Sequence, residues 1–148
     1  MNITLDLTTL IFVILVFWIH WFADFIMQDE EWAVTKSYDN HNLLLHTYTY
    51  SGMWFIAGLI YSFPAFWSEL NSQDYFELMI KFVFVFPLIT FITHTITDYF
   101  TSKETSKLYK NKKFGSSIPN LGFFSMIGFD QCLHYTQLFV TYYILTII

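Results

Sequence analysis

The chain holds one cysteine, no arginine, three prolines and five glycines in 148 residues, and only 13% of its residues are charged. Each shortage excludes something. Cys132 has no intramolecular partner, so a disulfide scaffold is ruled out. The basic residues are all lysine and the net charge is −5, a balance that repels a phosphate backbone and speaks against nucleic-acid binding. A soluble domain carries about 25% charged residues, so a water-filled surface is poorly provided for. What is present is apolar: 55% hydrophobic and 22% aromatic, with 18 Phe, 10 Tyr and 5 Trp. One small core cannot hide that much apolar surface, and the lipid bilayer is the natural solvent.

A spanning helix needs about 20 mostly apolar residues. Four such runs occur, at 7–27, 42–63, 75–100 and 123–148. They predict a single all-α domain, a polytopic membrane protein of four transmembrane helices in an antiparallel bundle. The first run has no basic flank and no small-residue cleavage site, so it reads as a retained span rather than a signal peptide. An acidic loop at 28–41, a turn at 64–74 and a lysine-rich loop at 101–120 connect the spans. The stretch 114–124, broken by Gly115, Pro119 and Gly122, is expected to lie along the membrane surface or dip back into it. Lysine stays on the cytoplasmic side of short loops. Lys36 lies in the first loop and Lys103, Lys107, Lys110, Lys112 and Lys113 in the third. Both loops are therefore expected in the cytoplasm, with the termini outside a bacterial inner membrane.

Ionisable residues inside spans are rare and cost about 2.5 to 3.5 kcal/mol for a central Asp. Here they recur in a pattern. His20 and Asp24, His94 and Asp98, and Asp130 and His134 are each four residues apart, on one helix face. The order reverses where the helix direction reverses, so every pair points its carboxylate toward the cytoplasm and sets its imidazole about 6 Å deeper. Asn42 and His46 repeat the pattern with an amide. The expectation is one histidine layer (His20, His46, His94, His134) and one oxygen layer (Asp24, Asn42, Asp98, Asp130), both in the inner half of the membrane. His41 reads as a loop residue.

Imidazole with carboxylate suits zinc, manganese or iron, whereas calcium and magnesium prefer oxygen alone. His20, Asp24, His46, His94, Asp98, Asp130 and His134 form a candidate ligand set for one or two divalent transition-metal ions. Such an ion activates water for attack on an ester or phosphoester, with a non-ligating carboxylate among Asp24, Asp98 and Asp130 as base. Gln28, Lys36, Lys103 and Gln131 are candidate substrate contacts at the inner mouth. Mutual His–Asp hydrogen bonding without a ligand remains an alternative for the whole set.

The ordered string His20-Trp-Phe-Ala-Asp24-Phe25-Ile-Met-Gln28, Lys36, Leu-Leu-Leu-His46, His94-Thr-Ile-Thr-Asp98-Tyr99, Lys103 and Phe129-Asp130-Gln131-Cys-Leu-His134 resembles a domain-of-unknown-function family of small bacterial and phage membrane proteins. More distantly it is similar to membrane-bound proteins described as metal-dependent hydrolases. The resemblance spans nearly the whole chain and implies the same eleven site positions, together with a phage or prophage origin. The expected function is a membrane metal-dependent hydrolase acting on a lipid or phosphorylated membrane substrate from the cytoplasmic leaflet. Metal or proton transport, haem-based electron transfer and a non-catalytic structural role stay open.

Overall fold

A computed structural model describes residues 7–66, 71–115 and 122–148. The chain is all-α, with no strand among the described residues. Helix α1 (Leu7–Trp21) runs on into a π-helical turn at Phe22–Ile26. A short α2 (Glu30–Thr35) follows, then α3 (Asn40–Phe66). Helix α4 (Ser72–Met79) passes through a second π turn (Ile80–Val85) into α5 (Phe86–Lys110), and α6 (Phe123–Ile147) closes the order. Parts of the expected turn at 64–74 and of the interfacial stretch at 114–124, namely 67–70 and 116–121, lie outside the described residues.

Local chemistry accounts for several boundaries. Asp29 accepts from the Glu31 amide at 2.8 Å and starts α2, and the Asn71 side chain accepts from the Gln73 and Asp74 amides to start α4. The second π turn ends just before Pro87, whose missing N–H leaves the i−4 carbonyl without its helical donor. The sequence reading ended the third span at 100, but α5 continues to Lys110. Its last turns contain no glycine or proline, Lys107 pairs with Glu104 at 3.2 Å, and Lys107 and Lys110 face the negative end of the helix dipole.

Two continuous helical stretches, Leu7–Ile26 and Ser72–Lys110, are long and apolar enough to cross a membrane. The sides of the helices are sorted in an unusual sense. On α5 the buried stripe is Phe86, Pro87, Thr90, His94, Thr97, Asp98 and Thr101, recurring every three or four residues and mostly polar. Leu88, Ile92, Ile96 and Phe100 on its other side are exposed. Along the bundle the interior changes character. Toward the lysine-rich end, near α2 and the end of α5, it is polar. Toward the far end it is apolar, built on Val16, Trp54, Phe82, Phe86, Leu138 and Leu145.

Helix α3 approaches the second π turn so closely at Gly58 that a Cβ there would collide with the Phe82 carbonyl. Backbone cannot swing aside as a side chain can. Gly58→Ala is therefore expected to destabilise the protein by about 1 to 3 kcal/mol, read as a lower melting temperature in detergent. Gly52→Ala, where nothing lies within 4 Å of the added Cβ, should be neutral or slightly stabilising.

Candidate metal centre

Four helical segments bring their His and Asp side chains to one point at the polar end. His20, His46, His94 and His134 are each no more than 1% exposed, and Asp24 and Asp98 are 5% and 2% exposed. The wide π turn after α1 carries Asp24 into the interior beside Ala23. The two layers expected from sequence merge into one cluster. Side chains tilt toward a helix's N-terminus, so Asp24 and Asp98 lean away from the lysine-rich end while His46 and His134, on helices of opposite direction, lean toward it. The tightest contacts consequently run between helices. Asp24 Oδ1 lies 3.2 Å from His46 Nε2 and 3.4 Å from His94 Nε2, whereas His20 Nε2 is 3.8 Å from Asp24 on its own helix.

Asp24 Oδ1, His46 Nε2, His94 Nε2 and Asp98 Oδ2 form a small cage. The two imidazole nitrogens are 3.2 Å apart; Asp98 Oδ2 is 3.2 Å from His46 and 3.7 Å from His94. A tetrahedral site with bonds of about 2.0 to 2.1 Å has ligand–ligand edges of about 3.3 to 3.4 Å. The five edges that involve an imidazole nitrogen, 3.2 to 3.7 Å, are close to that size. Only one proton at most fits between two nitrogens 3.2 Å apart, whereas a shared cation satisfies all four atoms. The Nδ1 atoms of His46, His94 and His134 have no hydrogen-bond partner among the described residues, so the ring proton can sit at Nδ1 without displacing a bond there. The groups Asp24–His46–His94, His94–Asp98–His134 and Asp24–Asp130–His134 could each hold a metal ion.

Asp98 straddles two cradles. Its Oδ2 belongs to the cage, and its Oδ1 lies 3.0 Å from His134 Nε2, which is also 3.3 Å from Asp130 Oδ1. Thr101 donates to that same Asp130 oxygen at 2.5 Å.

His20 stands one step behind the cage, and its role follows from a chain of donors. A carboxylate only accepts, so the Gln131 amide nitrogen must donate to Asp24 Oδ2 at 3.0 Å and Asp130 Oδ2 at 3.1 Å. Its carbonyl then accepts from His20 Nε2 at 2.7 Å, which leaves His20 Nδ1 to accept from the Tyr50 hydroxyl at 2.7 Å. Tyr50 is buried and its ring stacks on His94 at 3.9 Å. Sequence reasoning missed Tyr50, although it lies four residues beyond His46 on the same face of α3.

Lys36, on the turn after α2 and expected from sequence as a substrate contact, is an ion-pair partner of the cluster. Its ammonium donates to Asp98 Oδ2 at 2.7 Å and lies 3.2 Å from His46 Nε2. Burial lowers the lysine pKa, but the Asp98 and Asp24 carboxylates outweigh it and hold the value above the ordinary 10.5. The pairing is therefore complete below pH 10.5 and is lost only as pH rises through that higher value. Two other predicted contacts lie elsewhere. Lys103 sits over the Tyr99 ring, 3.2 Å from its centroid, and lines a separate polar basin with Ser37, Lys107 and Lys110. Gln28 is half-buried and its Oε1 has no partner. Asn42 does not supply the expected oxygen. It lies in the first turn of α3 and donates to Thr35 Oγ1 at 2.7 Å.

No family model, curated protein or solved structure matches this chain.

Removing Lys36 leaves three neighbouring carboxylates without their fixed cation. Lys36→Met in chelator-treated protein is expected to lose about 3 kcal/mol, with part of the loss restored by added zinc or manganese. An unchanged melting temperature would show that Lys36 does not neutralise the cluster.

Proposed function

We propose that this protein is a four-span membrane metalloprotein whose divalent cation is held by Asp24, His46, His94 and Asp98, and that it hydrolyses a lipid or phosphorylated membrane substrate from the cytoplasmic leaflet. The observation that carries the reading is the convergence of Asp24, His46 and His94, with Asp98 beside the same two imidazoles, around buried negative charge that a cation would offset. Asp24, Asp98 and Asp130 contribute three negative charges and Lys36 one positive. The carboxylates outnumber the fixed cation, and a bound metal ion would offset the excess negative charge. The groups His94–Asp98–His134 and Asp24–Asp130–His134 offer positions for another ion when an anionic substrate brings further negative charge.

Bound in the cage, the cation supplies Lewis-acid activation of water or of an ester or phosphoryl oxygen. The chain supplies the rest. Asp130, whose side chain at 17% exposed is the most accessible of the three carboxylates, takes the proton from attacking water. Lys36, equally accessible at 17%, holds an anionic substrate oxygen beside the cage. Gln131 and His20 keep Asp24 and Asp130 in place. The orientation with lysines inside rests on their loop positions, and the four-span reading on the apolar exteriors of all four long helices.

Transport is less well supported. A proton or ion pathway needs polar groups continuing past the centre, but the interior beyond Tyr50 opens into an apolar chamber.

Elemental analysis of protein purified in mild detergent is expected to find about one zinc, manganese or iron per chain. His94→Ala should bind at least about tenfold less. Asp130→Asn should keep the cage metal yet lose hydrolytic activity by about 100-fold or more. Metal-free wild-type protein of equal thermal stability would overturn the proposal.

A further inference from the structure

Directly beyond the polar centre, on the same helix faces, lies a chamber of about 360 Å³. Its deep wall is Val16, Trp54, Phe86 and Leu138, all at most 7% exposed. Val16 is four residues before His20, Trp54 four after Tyr50, and Leu138 four after His134, so the wall stands about one helix turn, some 6 Å, from the polar cluster. The Tyr50 ring, stacked on His94 and edge-on to the wall residue Trp54, links the polar cluster to that wall. The rim has the opposite exposure. Leu15 on α1, and Ile56 and Ile60 on α3, are 51%, 47% and 69% exposed. The chamber thus opens sideways between α1 and α3, toward the surroundings of the bundle rather than along its axis. The same seam carries the Asp24–His46 contact at its other end.

We infer that this chamber is the subsite for one hydrocarbon chain of the substrate, a membrane amphiphile whose head group lies at the Asp24–His46 end of the α1–α3 seam. The inference rests on the membrane-hydrolase reading and deepens it by naming where the chain is held. Three observations favour a lipid chain over another occupant. The lining is hydrocarbon and aromatic, with two tyrosines, Tyr61 and Tyr142, as its main polar groups. The mouth is lateral, where a bilayer delivers chains without exposing them to water. The order along the seam, polar centre toward the lysine-rich end and apolar chamber beyond it, is the order of head and chain in a cytoplasmic-leaflet lipid. A head group with no chain forgoes about 0.8 kcal/mol for each methylene that would have been buried.

Photolabelling tests the subsite. The probe is phosphatidylglycerol bearing a diazirine midway along one acyl chain, in phosphatidylethanolamine–phosphatidylglycerol vesicles containing the full-length protein. Bulk lipid reaches the exposed residues Leu88 and Ile92 on α5. A chain in the chamber also labels Trp54 and Leu138, which bulk lipid does not touch. Ala57→Phe fills the chamber and is expected to cut labelling of the deep wall about tenfold, the loss of roughly two methylenes' worth of contact, while Leu88 and Ile92 label as before. Val16→Phe fills the chamber from α1 and should act alike. Labelling confined to Leu88 and Ile92 in the wild-type protein overturns the inference, as does deep-wall labelling that neither variant reduces. Metal content measured on the same samples separates the two readings. Bound metal without wall labelling sinks the chain subsite alone, and wall labelling without metal sinks the hydrolase reading alone.

Discussion

Three carboxylates held away from water are the constraint around which this protein is arranged. Asp24 and Asp98 are almost fully enclosed, and Asp130 is little more exposed. Each would cost several kcal/mol if left unpaired. The fold answers with positive charge and with donors aimed at each oxygen. Lys36 reaches in from the turn after α2, Gln131 spans Asp24 and Asp130, Thr101 donates to Asp130, and imidazole nitrogens from α3, α5 and α6 meet the remaining oxygens. No helix satisfies its own aspartate alone, so the cluster locks the relative depth and rotation of the helices that build it.

That lock explains features that look local. A π turn is less favourable than a regular helical one, yet it falls where Asp24 must be carried into the interior. The Gly58 approach to the second π turn brings α3 against the segment leading into α5, which sets the height of His46 against His94. Tyr50 links the two halves of the interior. Its hydroxyl anchors His20 and its ring stacks on His94, while its other edge faces Trp54 and the apolar chamber. A polar centre and a hydrocarbon-lined space thus lie about one helix turn apart along the same faces.

Much of the site was legible in the sequence because helical periodicity is a strong constraint. A spacing of four put His20 with Asp24, His94 with Asp98 and Asp130 with His134 on common faces, and the reversal of order with helix direction placed them at one depth. The structure gathers these six residues, together with His46, Lys36 and Gln131, in one cluster. Asn42 misled because it has a local partner in Thr35, and a short contact at a helix start outcompetes a distant one. Lys103 misled because loop lysines share a side of the protein without sharing a site.

By itself the sequence determined the all-helical class, the apolar exteriors and the membership of the polar cluster, since all of these follow from composition and from a period of 3.6. Only the tertiary structure decided which oxygen meets which nitrogen. Side-chain tilt and the π turn shift contacts by a few ångströms, enough to join Asp24 to His46 and His94 across helices and to turn two expected layers into one cage. The same few ångströms set the spacing of Asp24, His46 and His94, and the open seam between α1 and α3 arises from packing that no single helix encodes.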